Sequence, residues 1–235
     1  MNKIGNLNSS HENGCLIYDD FGNSIFCLSG KKSKSVERYV NEEILSSYIK
    51  KGKSNNTYLS ETQLKNTWQN YPELNTERIM GSFIVIDKQI YAILGYNSQS
   101  NRYLDSIERL NLESPLSWEF LNFKRNENIS CFKKNFAASK LSNDEILIFG
   151  GIDGFNDYSS ENFSIFNLKK NEFYYLDNKL NQQDSLSSFD FHRNPVSIQA
   201  FDSNNNCFHF AIDEKDTVHI IETKTLQHMI FNSLE

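Results

Sequence analysis

Proline and glycine are scarce in this 235-residue chain, at three and ten residues respectively. Its turns must therefore be made mainly by Asn, Asp and Ser, whose short polar side chains tolerate turn conformations. No apolar run approaches membrane-spanning length, and the polar stretch Met1 to Asn13 lacks the apolar core of a secretory signal. A basic stripe is missing too. The net charge is −6, and the densest basic cluster, Lys31, Lys32 and Lys34, is short and reads as a solvated loop tip. Sequence-independent nucleic-acid binding needs several Lys or Arg on one face, so that class is excluded.

The four cysteines, Cys15, Cys27, Cys131 and Cys207, form no CxxC pair and have no His at metal-ligand spacing. Cys27 and Cys207 fall in apolar segments, where cysteine serves as a small hydrophobe. The expectation is a reduced, soluble, cytoplasmic protein with no membrane partner, metal or cofactor. No GxSxG elbow, HExxH pair or phosphate-cradling glycine loop occurs, and no two carboxylates form a recognisable acid/base pair. The chain is therefore expected not to be an enzyme.

What is abundant is aromatic, with 18 Phe and 11 Tyr, a share suited to sheets that pack face to face. One grammar recurs. An apolar strand runs into glycine, a second strand opens with a small and then a hydrophobic residue, and a bulky ring follows about ten residues further on. Ile90 to Tyr96 with Ser106 to Leu110 and then Trp118 is one copy; Ile146 to Gly151 with Asn162 to Phe166 and then Phe173 is another. A weaker copy is Ile25 to Gly30 with Ser35 to Tyr39 and then Trp68.

Period-two alternation predicts four units of four strands, a to d. The first has Gly14–Tyr18, Ser24–Ser29, Ser35–Val40 and a strand from Thr67; the second has Met80–Ile86, Gln89–Leu94, Ser106–Asn111 and Ser117–Leu121. The third has Phe136–Leu141, Glu145–Phe149, Asn162–Asn167 and Glu172–Leu176; the fourth has Val196–Phe201, Cys207–Phe210, Thr217–Ile221 and Gln227–Phe231. The units span about 14–73, 78–122, 135–177 and 194–232, after a polar tail over 1–13 and with an insert over 41–66 in the first.

The run Arg78 to Ile86, with Gln89 to Gly95, Ser106 to Leu112 and Trp118, resembles a kelch repeat, as does the third unit with its Gly150-Gly151 doublet. The first and fourth units depart from it, with Ser29 for the first glycine and Ala211-Ile212 for the doublet. The resemblance implies an all-β, kelch-type β-propeller of about four visible four-stranded blades. Gly30, Gly95, Gly150 and Gly151 would be its repeat glycines, and Trp68, Trp118 and Phe173 its packing rings. Propellers close with 4 to 8 blades. Four units make either a four-bladed ring or part of a longer, incomplete or divergent one, whose open blade edges would invite self-association.

Alternating strand direction puts b–c loops and d–a links on one face. Tyr96, Asn97, Arg102 and Tyr103 come to that face from the second unit, and Asp153, Phe155, Asn156 and Tyr158 from the third. Arg125 and Arg193 arrive from d–a links. Aromatic and Arg side chains on a rigid rim are hot-spot chemistry for a protein or peptide partner, although Phe155 and Tyr158 equally fit packing on their own blade. Arg78 and Arg193 precede strand a at equivalent places, which favours structural hydrogen bonding. Glu37-Arg38 and Glu108-Arg109 repeat within strand c, as a charge contact between blades would. His209 and His219 could pair on a metal, but further ligands are lacking.

By resemblance the function is a non-catalytic protein-interaction module, an adaptor or scaffold, with ubiquitin-ligase substrate recruitment and cytoskeletal binding among such roles. The competing class is a propeller enzyme acting on a carbohydrate or small molecule. Fold alone does not separate them.

Overall fold

The computed structural model describes residues 6–19, 24–40, 67–124, 133–154, 164–175, 197–201, 207–212, 218–222 and 228–231. Every regular element among them is a strand. Strands β1 (Cys15–Asp19), β2 (Ser24–Gly30), β3 (Ser33–Val40) and β4 (Thr67–Tyr71) form the first sheet, in that order. The next stretch holds β5 (Ser82–Ile86), β6 (Gln89–Ile93), β7 (Tyr96–Asn97), β8 (Arg102–Tyr103), β9 (Ile107–Asn111) and β10 (Glu119–Phe120). There the second sheet runs β5-β6-β9-β10, and β7 with β8 makes a separate small hairpin.

The third stretch holds β11 (Lys133–Lys134), β12 (Ala137–Lys140), β13 (Glu145–Phe149), β14 (Ile152–Asp153), β15 (Ser164–Asn167) and β16 (Glu172–Tyr175). Its sheet runs β12-β13-β15-β16, with β11 paired to β14 beside it. The fourth sheet is β17 (Ser197–Phe201), β18 (Cys207–Ile212), β19 (Val218–Glu222) and β20 (His228–Phe231). All pairs are antiparallel. Among the described residues no helix is long and apolar enough to cross a membrane.

Local chemistry explains the hairpins. Asp87 and Lys88, between β5 and β6, have φ of 47° and 60°, the left-handed pair that a two-residue turn needs to match strand twist. The end of strand b is sharper. Ser29-Gly30, Leu94-Gly95 and Gly150-Gly151 each place two successive residues at positive φ. A Cβ at Gly95 would meet the backbone of Gly81 at 2.8 Å, and one at Gly30 would meet His11 Cα at 2.8 Å. Only glycine fits the second position, because the backbone of the segment leading into strand a crosses there. The repeat column is therefore Gly30, Gly95 and Gly151, so Ser29 and Gly150 belong with Leu94 at the position before it.

The first strands of successive sheets lie side by side: β1 against β5, β5 against β12, and β12 against β17. One core lies between the first two sheets. Phe26, Leu28 and Val36 meet Phe83, Ile90, Ala92, Leu110 and Trp118 there. A second core joins Tyr91, Ile93 and Ile107 to Ala138, Ile146, Ile148, Phe166 and Phe173. Each middle sheet is thus apolar on both faces, which is why Ile146 to Phe149 are all buried and read as one continuous apolar run.

The trailing rings share one register position. Trp68 lies opposite Tyr39, and Phe173 lies opposite Phe166. Trp118 and Phe173 are buried in the two cores, and Trp118 Nε1 donates to the Pro72 carbonyl at 2.8 Å.

Candidate functional site

The segment entering strand a carries the site, and buried carboxylates hold it in place. In the second sheet Glu108, on β9, is fully buried. It accepts from the backbone N–H of Asn75 at 2.7 Å and of Thr76 at 3.2 Å, and from Arg78 Nη2 at 2.6 Å. Arg78 Nη1 also donates to the carbonyls of Leu94 at 2.7 Å and Ser106 at 3.2 Å. Burial pushes the Arg78 guanidinium below its ordinary pKa, and the Glu108 carboxylate opposes that shift.

The first sheet repeats the arrangement with other residues. Glu37 accepts from Asn8 and Ser9 N–H, both at 2.7 Å, and lies 3.0 Å from His11 Nε2. Asn8 Nδ2 donates to Trp68 O at 3.0 Å, as Asn75 Nδ2 does to Trp118 O at 2.8 Å. Residues 8–11, expected within a polar tail, are therefore anchored to the first sheet. Among the described residues the Glu108-Arg109 pair makes its ion pairs within its own unit: Glu108 with Arg78, and Arg109 with Glu119 at 2.9 Å on the neighbouring strand.

A polar cleft of about 450 Å³ opens between the first two sheets, on the side of the b–c loops and d–a links. Its walls are Lys32–Ser35 from one b–c turn, Glu73 and Asn75–Glu77 from the link between the sheets, Asn97 and Gln99 from the next b–c loop, and Ser9. Glu77 is the buried strut between the loops. Its carboxylate accepts from Lys32 N–H at 2.8 Å, Gln99 N–H at 3.3 Å and the Ser98 hydroxyl. The Leu74 N–H donates to the Lys34 carbonyl at 3.0 Å, and the Arg78 N–H to Ser29 Oγ at 3.0 Å. Lys32, Lys34, Glu73 and Gln99 are exposed, so their side chains are at hand for a ligand. The Ser33 and Ser35 hydroxyls bond to each other at 2.5 Å. The walls offer donors and acceptors rather than a nucleophile poised on a base.

Of the residues expected to bind a partner, four lie on the β7–β8 hairpin. Asn97 lines the cleft, and its Oδ1 accepts from Ser100 N–H at 2.8 Å. Arg102 is exposed at the hairpin. Tyr96 and Tyr103 meet edge-on at 5.6 Å, with Lys134 Nζ at 5.4 and 4.9 Å from their rings. That cation–π contact ties the hairpin to the third unit and engages both rings in packing. Asp153 pairs through β14 with Lys133. Arg125, Phe155, Asn156, Tyr158 and Arg193 lie outside the described residues.

The cleft residues that sequence reasoning missed are Ser9, Lys32–Ser35, Glu73, Asn75–Glu77 and Gln99. The lysine cluster was visible but carried no sign that a second loop faces it. A scan of protein-family models finds none that matches the chain, and no curated protein matches it.

Proposed function

We propose that this protein is a non-catalytic binding module, a kelch-type propeller or a segment of one, that holds a protein or peptide on its b–c and d–a face. Four similar antiparallel sheets whose first strands neighbour one another support the propeller reading. The observation that carries the function is the cleft between the first two sheets, on the face where loop residues converge. A groove walled by exposed Lys, Glu, Gln and Asn suits an extended peptide, whose backbone offers a donor and an acceptor at each residue. The role is that of an adaptor or scaffold. A cytoplasmic setting agrees with Cys15 and Cys27 being free thiols.

Selecting a displayed peptide library on the immobilised full chain tests this. Enriched peptides are expected to lose at least about tenfold in affinity for Lys34→Glu and severalfold for Arg102→Ala, with the melting temperature unchanged, since both side chains are exposed. No enrichment, or variants that bind like the parent, overturns the reading. The serine, threonine and amide groups of the walls also suit sugar hydroxyls. Turnover or retention of a saccharide in a parallel screen would favour the enzyme or lectin class instead.

A further inference from the structure

The segments entering the first two sheets are held in the same way, position by position. Asn8 corresponds to Asn75 and Ser9 to Thr76, and their backbone N–H groups donate to the buried carboxylate of strand c, Glu37 or Glu108. The Asn8 and Asn75 side chains close on the trailing tryptophan of each sheet, at Trp68 O and Trp118 O. In that register His11 takes the place of Arg78. The acceptors of Arg78 include the Leu94 carbonyl at 2.7 Å and Glu108 Oε1 at 2.6 Å. His11 faces the equivalent two: its Nδ1 lies 2.5 Å from the Ser29 carbonyl, and its Nε2 lies 3.0 Å from Glu37 Oε1.

A carbonyl and a carboxylate only accept, so both ring nitrogens must donate, and only the imidazolium carries a proton on each. The two backbone N–H groups that donate to Glu37 favour its ionised form, which puts the proton on His11. Burial leads to the same assignment. Glu37 is fully buried, the His11 side chain is 4 % exposed, and among the described residues His11 is the one cation paired with Glu37. A buried carboxylate needs a counter-charge, which Arg78 supplies in the second sheet.

We propose that His11 is a proton-dependent clasp, which holds segment 8–11 on the first sheet while its ring carries both protons and releases it when one is lost to solvent. Arg78, always charged, makes the same clasp permanent in the second sheet. A neutral ring would turn a lone pair toward the Ser29 carbonyl or toward Glu37, and would leave Glu37 buried without a counter-charge. The held segment therefore favours the charged ring, so its hold is full at low pH and fades as pH rises through the imidazole range. Other groups at this corner keep their charge over that range. Glu12 and Lys31 pair at 3.6 Å in the open. The Cys27 thiol, opposite Glu37 in register, is pushed up to about 11 by burial and stays neutral. Arg78 reaches Ser29 Oγ only through its backbone N–H, and Glu77 faces Lys32, Ser98 and Gln99. Ser9 lines the cleft, so release takes that part of the wall with it, whatever the cleft binds.

Hydrogen exchange of the full chain, corrected for the intrinsic pH dependence of exchange, compares the Asn8 and Ser9 amides with those of Asn75 and Thr76. Between about pH 5.5 and about pH 8.5, a span that brackets ordinary histidine titration, protection of the first pair is expected to fall at least about tenfold. The second pair, clasped by Arg78, is expected to stay within about twofold. His11→Arg is expected to keep Asn8 and Ser9 protected at both ends of the range, and His11→Ala to leave them poorly protected at both. Nitrogen-15 shifts of the His11 ring are expected to show a proton on each nitrogen at the acid end. Protection of Asn8 and Ser9 that holds across the range overturns the proposal, as does an equal loss at Asn75 and Thr76. So does a ring that is neutral at the acid end, an Arg variant that still loses protection with pH, or an Ala variant protected like the parent.

Discussion

Replacing Glu108 by Ala tests the feature that joins the fold to the cleft. Glu108 and Arg78 are both fully buried, 2.6 Å apart, so the substitution strands a guanidinium charge in the interior. Breaking a buried pair from one side costs about 3–5 kcal/mol. The carbonyls of Leu94 and Ser106 still receive the guanidinium, which keeps the loss within that range. The N–H groups of Asn75 and Thr76 lose their acceptor as well, but they border the cleft, where water replaces it. For a chain of this size each kcal/mol moves the melting temperature by about 2–4 °C, so the drop is about 6–20 °C. Urea unfolding followed by tryptophan fluorescence reads it independently, since Trp118 lies beside the pair's own sheet edge.

Arg78→Met with Glu108→Met is the decisive partner. It removes both charges and refills the volume, and is expected to lose less than Glu108→Ala alone, because an apolar pair avoids the desolvation that the ions suffer. Glu108→Ala within about 1 kcal/mol of the parent, or a double variant that loses the sum of its two singles, would refute a buried ionic staple.

Two further predictions follow from the backbone and the thiols. Gly95→Ala is expected to cost at least about 2 kcal/mol, because φ is 101° and the added Cβ would lie 2.8 Å from Gly81 and Ile79 backbone atoms, which cannot turn away as a side chain does; an unchanged denaturation midpoint would contradict that crossing. Burial pushes the Cys27 thiol up to about 11, so at pH 8 about one molecule in a thousand carries the thiolate, against roughly a quarter for a free cysteine near 8.5. Alkylation of a variant keeping Cys27 alone is expected to run at least about a hundredfold slower than in the urea-unfolded chain and to accelerate as pH rises toward 11. Equal rates would show the thiol to be exposed.

Sheet architecture was largely legible because each strand declares itself locally. Alternation and apolar runs place all sixteen strands of the four sheets within about two residues of their positions at most ends. The small pairs β7–β8 and β11–β14 were not legible. They are two residues long, polar, and held by what lies around them rather than by their own propensity. The roles of Glu37 and Glu108 were half legible. A carboxylate recurring in strand c was evident, but its partners lie 26 to 33 residues away, at 8–11 and 75–78, and nothing in a single sequence links them. The same reason hid the cleft, whose walls come from three loops and the N-terminal segment at Ser9, which meet only once the sheets are packed.

That origin also bears on how binding can change without loss of the fold. The staples take the backbone N–H groups of Asn75 and Thr76, the Asn75 amide is held by the Trp118 carbonyl, and Glu77 ties the loops together through Lys32, Ser98 and Gln99. Backbone and buried charge set the shape of the walls; exposed Lys32, Lys34, Glu73 and Gln99 set their chemistry. On the proposed binding role, substituting the second group is expected to change what the cleft recognises at little cost in stability, because exposed polar side chains contribute within about 0.5 kcal/mol to folding. Substituting the first group removes the walls themselves. Stability and affinity should therefore separate cleanly between the two sets, and a Lys34 variant that unfolded the chain would show that the cleft is no more than a seam in the core.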